Sequence, residues 1–249
     1  TTDPSANTTT VNLLGGTISG DAYGGGLGQK KDFAGITGEI ATEDKAAVVH
    51  GDINVNLGSA SESVTTATAF NISYDNSGTT DNPVQVVKSG RIFGCNNLNG
   101  SPLGNVTVTV YRTVKGNTDK TPSDKLKSKV EDDHSYHLAA VYGGGNLADY
   151  STTGKKTHVI IKGCDLTSIL TVYGGGNAAA VPETDVDVYG SYEIGNVFGG
   201  GNGKDKFKKG NTWTLNPGAN VNGNANTMLY GGLIHEAFGG SNEKGRITG

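Results

Sequence analysis

A six-residue motif built around three glycines recurs along the chain and restricts its fold more than any other feature. "VYGGGN" occurs at Val141–Asn146 and, letter for letter, at Val172–Asn177. Close variants of this glycine motif are spread over the rest of the chain, at Ala22–Leu27, Ile92–Asn97, Val197–Asn202 and Ala237–Asn242. Repetition at intervals of about 20 to 50 residues is typical of a repeat protein, in which each unit buries its apolar face by stacking on its neighbours.

The unit around the motif predicts the fold class. Each copy contains a strand, a turn and a second short strand that leads into the glycines, as in Lys156–Asn177 and Glu183–Asn202. Only 25 residues separate Val172 from Val197, which is too few for the four strands of a propeller blade. The sequence therefore predicts an all-β, right-handed parallel β-helix, a solenoid whose glycines allow a corner through positive φ or through close backbone approach.

The residues that flank the glycines predict two columns of stacked side chains. An aromatic residue precedes the glycines in every copy: Tyr23, Phe93, Tyr142, Tyr173, Phe198 and Phe238. An asparagine follows them in four copies, and these side chains would form an amide ladder: Asn146, Asn177, Asn202 and Asn242. The aromatic column has two possible orientations. Buried, it is part of the core; facing outward, Tyr142, Tyr173 and Phe198 would form a ligand-binding platform for glycans or peptides.

The units and the segments between them predict the domain organisation. We expect residues 1–249 to form a single β-helix domain, a segment of a longer repeat protein, with insertions at about 59–83 and 115–137. The first insertion is polar with one apolar run and predicts a hairpin or a strand pair, whereas the second is highly charged and predicts an exposed excursion. The final residues, Gly245–Gly249, resemble the start of another unit at Gly15–Gly20, so further repeats of the same parent chain are expected partners.

Composition and charge exclude several classes of protein. The net charge is −4, so no basic field exists to attract nucleic acid, and no nucleic acid partner is expected. No apolar stretch approaches the ~20 residues of a membrane span. The two cysteines, Cys95 and Cys164, form no CxxC pair, which disfavours a zinc or dithiol site; whether they form a disulfide is left open.

Two groups of residues are candidates for chemistry, each with a structural alternative. Asp185 and Asp187 lie two apart on a predicted strand and project from one face, an arrangement that suits catalysis by inverting glycoside hydrolysis; otherwise they are the solvent-facing half of that strand. Gly200–Lys208 fits a calcium-binding nonapeptide in which Asp205 is the metal ligand; otherwise it is a glycine corner and a solvated loop. The sequence thus predicts no cofactor, with a bound calcium ion as the alternative.

The run "TVNLLGGTISGDAYGGG", together with the recurrent "VYGGGN", resembles the glycine-rich repeats of very large secreted or surface-displayed, adhesin-like proteins of gut bacteria. The resemblance covers Thr8–Leu27 and most of Val84–Gly249, and leaves the two insertions unmatched. It implies a bacterial β-helical segment that is extracellular or at the cell surface. It supplies no catalytic residues that could be transferred to this chain.

These observations predict a non-catalytic surface segment of adhesin type that presents or binds a ligand, either a glycan or a partner protein on a cell surface. Two alternatives stand beside it. One is a polysaccharide-degrading β-helix enzyme, a lyase or glycoside hydrolase, that uses Asp185 and Asp187. The other is a structural spacer with no ligand of its own.

Overall fold

A computed structural model describes residues 7–35, 37–113, 136–163, 165–204, 206–209 and 212–249. These residues form strands and turns and contain no helix. The strands are β1 (Thr8–Leu13), β2 (Thr17–Ile18), β3 (Ala22–Tyr23), β4 (Asp52–Leu57), β5 (Ala69–Phe70), β6 (Ser73–Asn76), β7 (Gln85–Ser89), β8 (Arg91–Phe93), β9 (Val106–Val110), β10 (Leu138–Tyr142), β11 (Thr157–Ile161), β12 (Ser168–Tyr173), β13 (Thr184–Val188), β14 (Glu193–Phe198), β15 (Lys206–Lys209), β16 (Thr212–Leu215), β17 (Ala225–Leu229) and β18 (Ile234–Phe238). The predicted all-β fold class is confirmed.

Two six-stranded sheets contain most of the strands, and every neighbouring pair in them is parallel. The first sheet has the order β1-β4-β9-β11-β13-β17 and the second the order β18-β14-β12-β10-β8-β3. Each repeat unit therefore gives one strand to each sheet, and the next unit adds its own strand beside it. The strands of one unit are too short to bury an apolar face alone, so each unit depends on its neighbours.

The copies of the glycine motif lie beside one another in exact residue correspondence. Val141 pairs with Val172, which pairs in turn with Val197. Tyr142 pairs with Tyr173 in the same way. Each residue of the motif thus meets its own counterpart in the next unit, which explains why the motif is repeated with so little change.

The inner faces of the two sheets pack on one apolar core. Alternate residues of the first sheet point into it, for example Val159 and Val186, and the valines of the glycine motif enter it from the second sheet, for example Val141. All three are 0% exposed. Burying a side chain of this size contributes about 1.5 to 3 kcal/mol, so this core is the main source of stability.

Close approach, and not positive φ, explains the first glycine of the motif. A Cβ atom on Gly143 would lie 2.3 Å from the carbonyl oxygen of Gly174, and one on Gly174 would lie 2.3 Å from that of Gly199. None of these three glycines has a positive φ. Of the two explanations that the sequence allowed, the structure supports the approach of one backbone to the next.

The insertions are only partly as expected. In the first insertion, β6 pairs in an antiparallel hairpin with β7, which lies beyond the expected limit at residue 83 and extends to Ser89. The second insertion, apart from its last two residues, lies outside the described residues. The solvated loop expected after Gly200 is wrong, because Lys206–Lys209 is a strand that pairs with Thr212–Leu215. Phe207 holds this hairpin in place by stacking on Phe33 with ring centroids 5.8 Å apart.

Candidate ligand-binding site

Six aromatic rings form one continuous column along the second sheet, as the repeat predicts. They are Tyr23, Phe93, Tyr142, Tyr173, Phe198 and Phe238, with neighbouring centroids 4.6 to 5.2 Å apart and ring planes within 10° of parallel. Because side chains alternate along a strand, the rings lie on the face opposite the valines of the motif, where they form a separate cluster.

The three rings expected to form a ligand platform are nevertheless buried in this column. Tyr142 is 3% exposed, and Tyr173 and Phe198 are each 6% exposed. Each of these rings has a neighbouring ring on both faces. The faces that a sugar would stack on are therefore occupied, and these rings can offer a ligand only their edges.

Asparagine side chains form the predicted amide ladder beside the aromatic column. Each amide nitrogen donates to the side-chain oxygen of the preceding unit, at 2.8 Å from Asn177 to Asn146 and 2.8 Å from Asn202 to Asn177. The ladder also includes Asn242, which donates to Asn202 at 3.1 Å. It is one member longer than expected, because Asn146 donates to Asn97 at 3.0 Å.

A cleft of about 410 Å³ opens along the edges of these two columns. Its base is formed by Tyr23 and Tyr142 of the aromatic column and by ladder residues from three successive units: Asn97, Asn146 and Asn177. Its walls come from three excursions: the β6–β7 hairpin, the segment around Phe33, and the β15–β16 hairpin with Phe207 and Trp213. Of the three residues expected to bind a ligand, Tyr142 lines this cleft; Tyr173 and Phe198 are not among its lining residues.

An ion pair between Arg91 and Asp21 is part of the cleft lining. Arg91 donates to the two carboxylate oxygens of Asp21 at 3.0 and 2.7 Å, and its guanidinium lies 5.1 Å from the ring centre of Phe93. Burial would lower the pKa of Arg91, but the hydrogen bonds and charge of Asp21 outweigh it, so this pKa is raised. Tyr23 donates to Asp21 at 3.3 Å, and its pKa is raised by burial first and then by the Asp21 charge. Arg91 is thus held in place by Asp21.

The remaining charges that line the cleft are mostly positive. Lys88 lies 3.6 Å from Asp75. Lys204 and Lys206 are exposed and form no ion pair with any carboxylate among the described residues. The described lining therefore has an excess of cations on a chain whose net charge is −4, which favours an anionic ligand.

Asp185 and Asp187 lie away from the cleft, on the outer face of the first sheet. Asp185 accepts hydrogen bonds from Lys156 and from Asn226, the latter at 2.9 Å, and Asp187 lies 2.7 Å from His158. Burial would raise the pKa of Asp185, but these hydrogen bonds and the Lys156 charge hold it below its ordinary value of 3.8. A general acid in glycoside hydrolysis needs a raised pKa, so the partners of Asp185 suit a structural role.

The lowered pKa of Asp185 predicts a small loss of stability in acid. Its contribution is present above the pKa of the unfolded chain and is lost as the pH falls through the lower folded pKa. Because the side chain of Lys156 is 48% exposed, we expect the effect to be below about 1 kcal/mol. Urea unfolding of wild type and Asp185→Asn at pH 7 and near pH 3 checks this: the stability difference should shrink in acid. A difference that grows in acid would contradict the assignment.

The described residues contain no group of three or more His, Cys, Asp or Glu side chains that could hold a metal ion. Asp205, the expected calcium ligand, lies outside the described residues, so calcium stays a prediction. Cys95 is buried with a free thiol, its pKa is raised by burial, and its Sγ lies 3.5 Å from the carbonyl oxygen of Gly143. Cys164 also lies outside the described residues.

The walls of the cleft were missed by reasoning from the sequence. Phe33, Phe207 and Trp213 belong to excursions whose spacing does not repeat, so the alignment of units gives no information about them. A local signal did exist, because the alternation of Lys206, Phe207 and Lys208 and the run from Thr212 to Leu215 are typical of strands. That signal predicts a hairpin but not which other excursion it contacts.

No protein-family model, no curated protein and no solved structure matches this chain. No helix in the described part of the chain has the length and apolar character needed to cross a membrane. The cleft is therefore the feature from which a function can be inferred.

Proposed function

We propose that this chain is a right-handed parallel β-helix that binds an acidic glycan in the cleft, as a non-catalytic segment of an extracellular, adhesin-like surface protein. The two parallel six-stranded sheets, with one strand of each unit in each sheet, support the β-helix. The binding function rests on one observation: a single cleft is lined by aromatic rings, by asparagines of the amide ladder and by more cationic than anionic side chains.

The chemistry of the cleft side chains fits the two surfaces of a sugar. Trp213 and Phe207 are both only partly buried, so they have apolar surface on which the C–H face of a pyranose ring can pack. Ladder amides line the same cleft, and Asn97 ends the ladder, because Leu27 holds the asparagine position in the preceding unit and leaves the Asn97 nitrogen no preceding asparagine to donate to. Lys204 and Lys206 would attract the carboxylate or sulfate groups of an acidic sugar.

Binding to a glycan array tests this proposal. We expect the purified protein to retain acidic glycans, and Trp213→Ala to weaken retention at least about tenfold, which corresponds to ~1.4 kcal/mol. Thr214→Ala is the matched control, because Thr214 is the next residue on β16 and does not line the cleft. Lys204→Gln together with Lys206→Gln should weaken binding and reduce its dependence on salt.

The same assay separates the proposal from its alternatives. Equal retention by Trp213→Ala and wild type would place binding outside the cleft. Cleaved products would show an enzyme, retention of acidic peptides alone would show a protein-binding module, and no retention of any ligand would leave a structural spacer. Loss of retention on chelation, reversed by added calcium, would support a calcium ion at Asp205.

A further inference from the structure

The hydrogen bonds of the Arg91 guanidinium leave one of its nitrogens without an acceptor. An arginine side chain has five N–H groups, which are one on Nε and two on each Nη. Nε of Arg91 donates to Asp21 Oδ1 at 3.0 Å, and Nη2 donates to Asp21 Oδ2 at 2.7 Å and to the carbonyl oxygen of Lys88 at 3.2 Å. Nη1 donates to no acceptor within the described residues, so its N–H groups are available to a ligand.

Solvent reaches Nη1, although it reaches little of the side chain. The Arg91 side chain is 11% exposed, and Arg91 is one of the residues that line the cleft. Nη1 is not one of the fully buried polar atoms that lack a hydrogen bond in the described part of the chain, so water touches it. The Nε–Nη2 edge of the planar guanidinium faces Asp21, and Nη1 is the corner opposite that edge. An anion can therefore approach Nη1 without contacting Asp21.

Arg91 differs in its rigidity from the lysines of the cleft. Lys204 and Lys206 are exposed, so their ammonium groups are hydrated point charges on flexible stems. They attract an anion but fix no position for it. The guanidinium of Arg91 is held by Asp21 and lies 5.1 Å from the ring centre of Phe93. A fixed donor loses little freedom when it binds, so it selects ligands whose acceptor lies in the right place.

A second free donor belongs to the same repeat unit. Asn97 follows β8, the strand that contains Arg91, and lines the same cleft. Its side-chain oxygen accepts from Asn146 at 3.0 Å, whereas its side-chain nitrogen has no acceptor among the residues that the structure describes. An amide N–H suits a sugar hydroxyl, and a charged N–H suits an oxyanion. The two donors together match an acidic sugar, which carries both groups.

We propose that Arg91 determines which ligands the cleft selects, by donating from Nη1 to the oxyanion of an acidic sugar, either a carboxylate or a sulfate ester. This inference rests on the proposed glycan-binding function and names the residue that recognises the acid. Asp21 is the positioning residue, because it occupies Nε and Nη2 and leaves Nη1 to the ligand. Lysine does not replace Arg91, because an ammonium group lacks the planar fork that binds Asp21 and leaves a further nitrogen free.

A glycan array printed with matched pairs tests this assignment. Each acidic oligomer is printed beside its neutral form: galacturonate beside galactose, glucuronate beside glucose, and sulfated galactose beside unsulfated galactose. We expect wild type to prefer the acidic member of at least one pair. Arg91→Lys keeps the charge, but it should lower that preference at least about tenfold and bind the neutral member as wild type does. A preference lost in the uronate pairs identifies a carboxylate ligand, and one lost in the sulfate pair identifies a sulfate ester.

Arg112→Lys is the matched control, because Arg112 does not line the cleft. It makes the same substitution elsewhere on the chain, and its preference for the acidic glycan should equal that of wild type.

A second measurement does not depend on the folding of Arg91→Lys. The arginines of the chain are Arg91, Arg112 and Arg246, so Arg112→Lys and Arg246→Lys assign the guanidinium signals of isotope-labelled arginine in the NMR spectrum by elimination. In wild type, the Nη1 signal of Arg91 should shift when the retained acidic oligomer is added, and it should stay unchanged with the neutral form of that oligomer.

The outcomes separate this inference from the function on which it rests. An array that retains no acidic glycan would overturn both. If Trp213→Ala abolishes retention but Arg91→Lys keeps the full preference for the acid, the glycan site stands and the role of Arg91 is wrong. If Arg91→Lys melts below wild type, the NMR signal decides: a shift supports the role of Arg91, and an unchanged signal overturns it.

Discussion

Replacing Gly174 by alanine is expected to destabilise the protein by at least about 4 kcal/mol, to the point where little folded chain is recovered. The added methyl group would lie 2.3 Å from the Gly199 carbonyl oxygen, 2.9 Å from Val186 and 3.0 Å from Thr184. Two of these neighbours belong to the core strand β13 and the third is backbone, so none can move without breaking the pairing between units. Thermal unfolding followed by circular dichroism measures the effect.

Gly239→Ala is the matched control for this substitution. It changes the first glycine of the same motif to the same residue, but a Cβ there has nothing within 4 Å. We expect the melting temperature of this variant to equal that of wild type. If Gly174→Ala were as stable as wild type, the close approach of neighbouring corners would not exist in solution.

Replacing Phe93 by alanine is expected to cost about 3 to 5 kcal/mol, because it leaves a cavity in the middle of the aromatic column. Phe93 is 0% exposed and stacks on Tyr23 at 4.9 Å and on Tyr142 at 4.6 Å. Its ring also lies under the Arg91 guanidinium at the base of the cleft. The free energy of unfolding in urea should fall by this amount, and glycan retention should fall with it.

Phe238→Ala provides the comparison for the column. Phe238 is 44% exposed and stacks on one neighbour only, Phe198 at 4.8 Å. We expect its loss to cost less than about 1.5 kcal/mol, the range of a single stacked pair. If Phe93→Ala and Phe238→Ala lowered the free energy of unfolding equally, Phe93 would not be more deeply buried in the column than Phe238.

The features that repeat were predictable from the sequence, because repetition carries information about neighbours in space. Tyr142 and Tyr173 occupy the same place in the motif, and this was sufficient to predict that they stack. The same reasoning predicted the bond between Asn146 and Asn177. It did not distinguish between the two reasons for glycine at the corner, because a positive φ and a close approach require the same residue.

The cleft was not predictable in this way. Phe33 and Phe207 stack on each other, but they lie in excursions that differ in length and composition from one unit to the next. Local alternation around Phe207 indicates a strand and gives no information about its distant partner. Likewise, the ion pair between Asp185 and Lys156 depends on the register between β11 and β13. The positions of the charged residues in the sequence do not give this register.

The amide ladder at the base of the cleft has a mechanical consequence. Hydrogen bonds between the strands of neighbouring units run along the direction in which the units succeed one another. Tension along that direction would therefore break the hydrogen bonds between two units and separate those units. Asn97, Asn146 and Asn177 come from three successive units and line the same cleft. A ligand that contacts all three asparagines would link three successive units. The protein would therefore resist extension most at the cleft in which the ligand is bound.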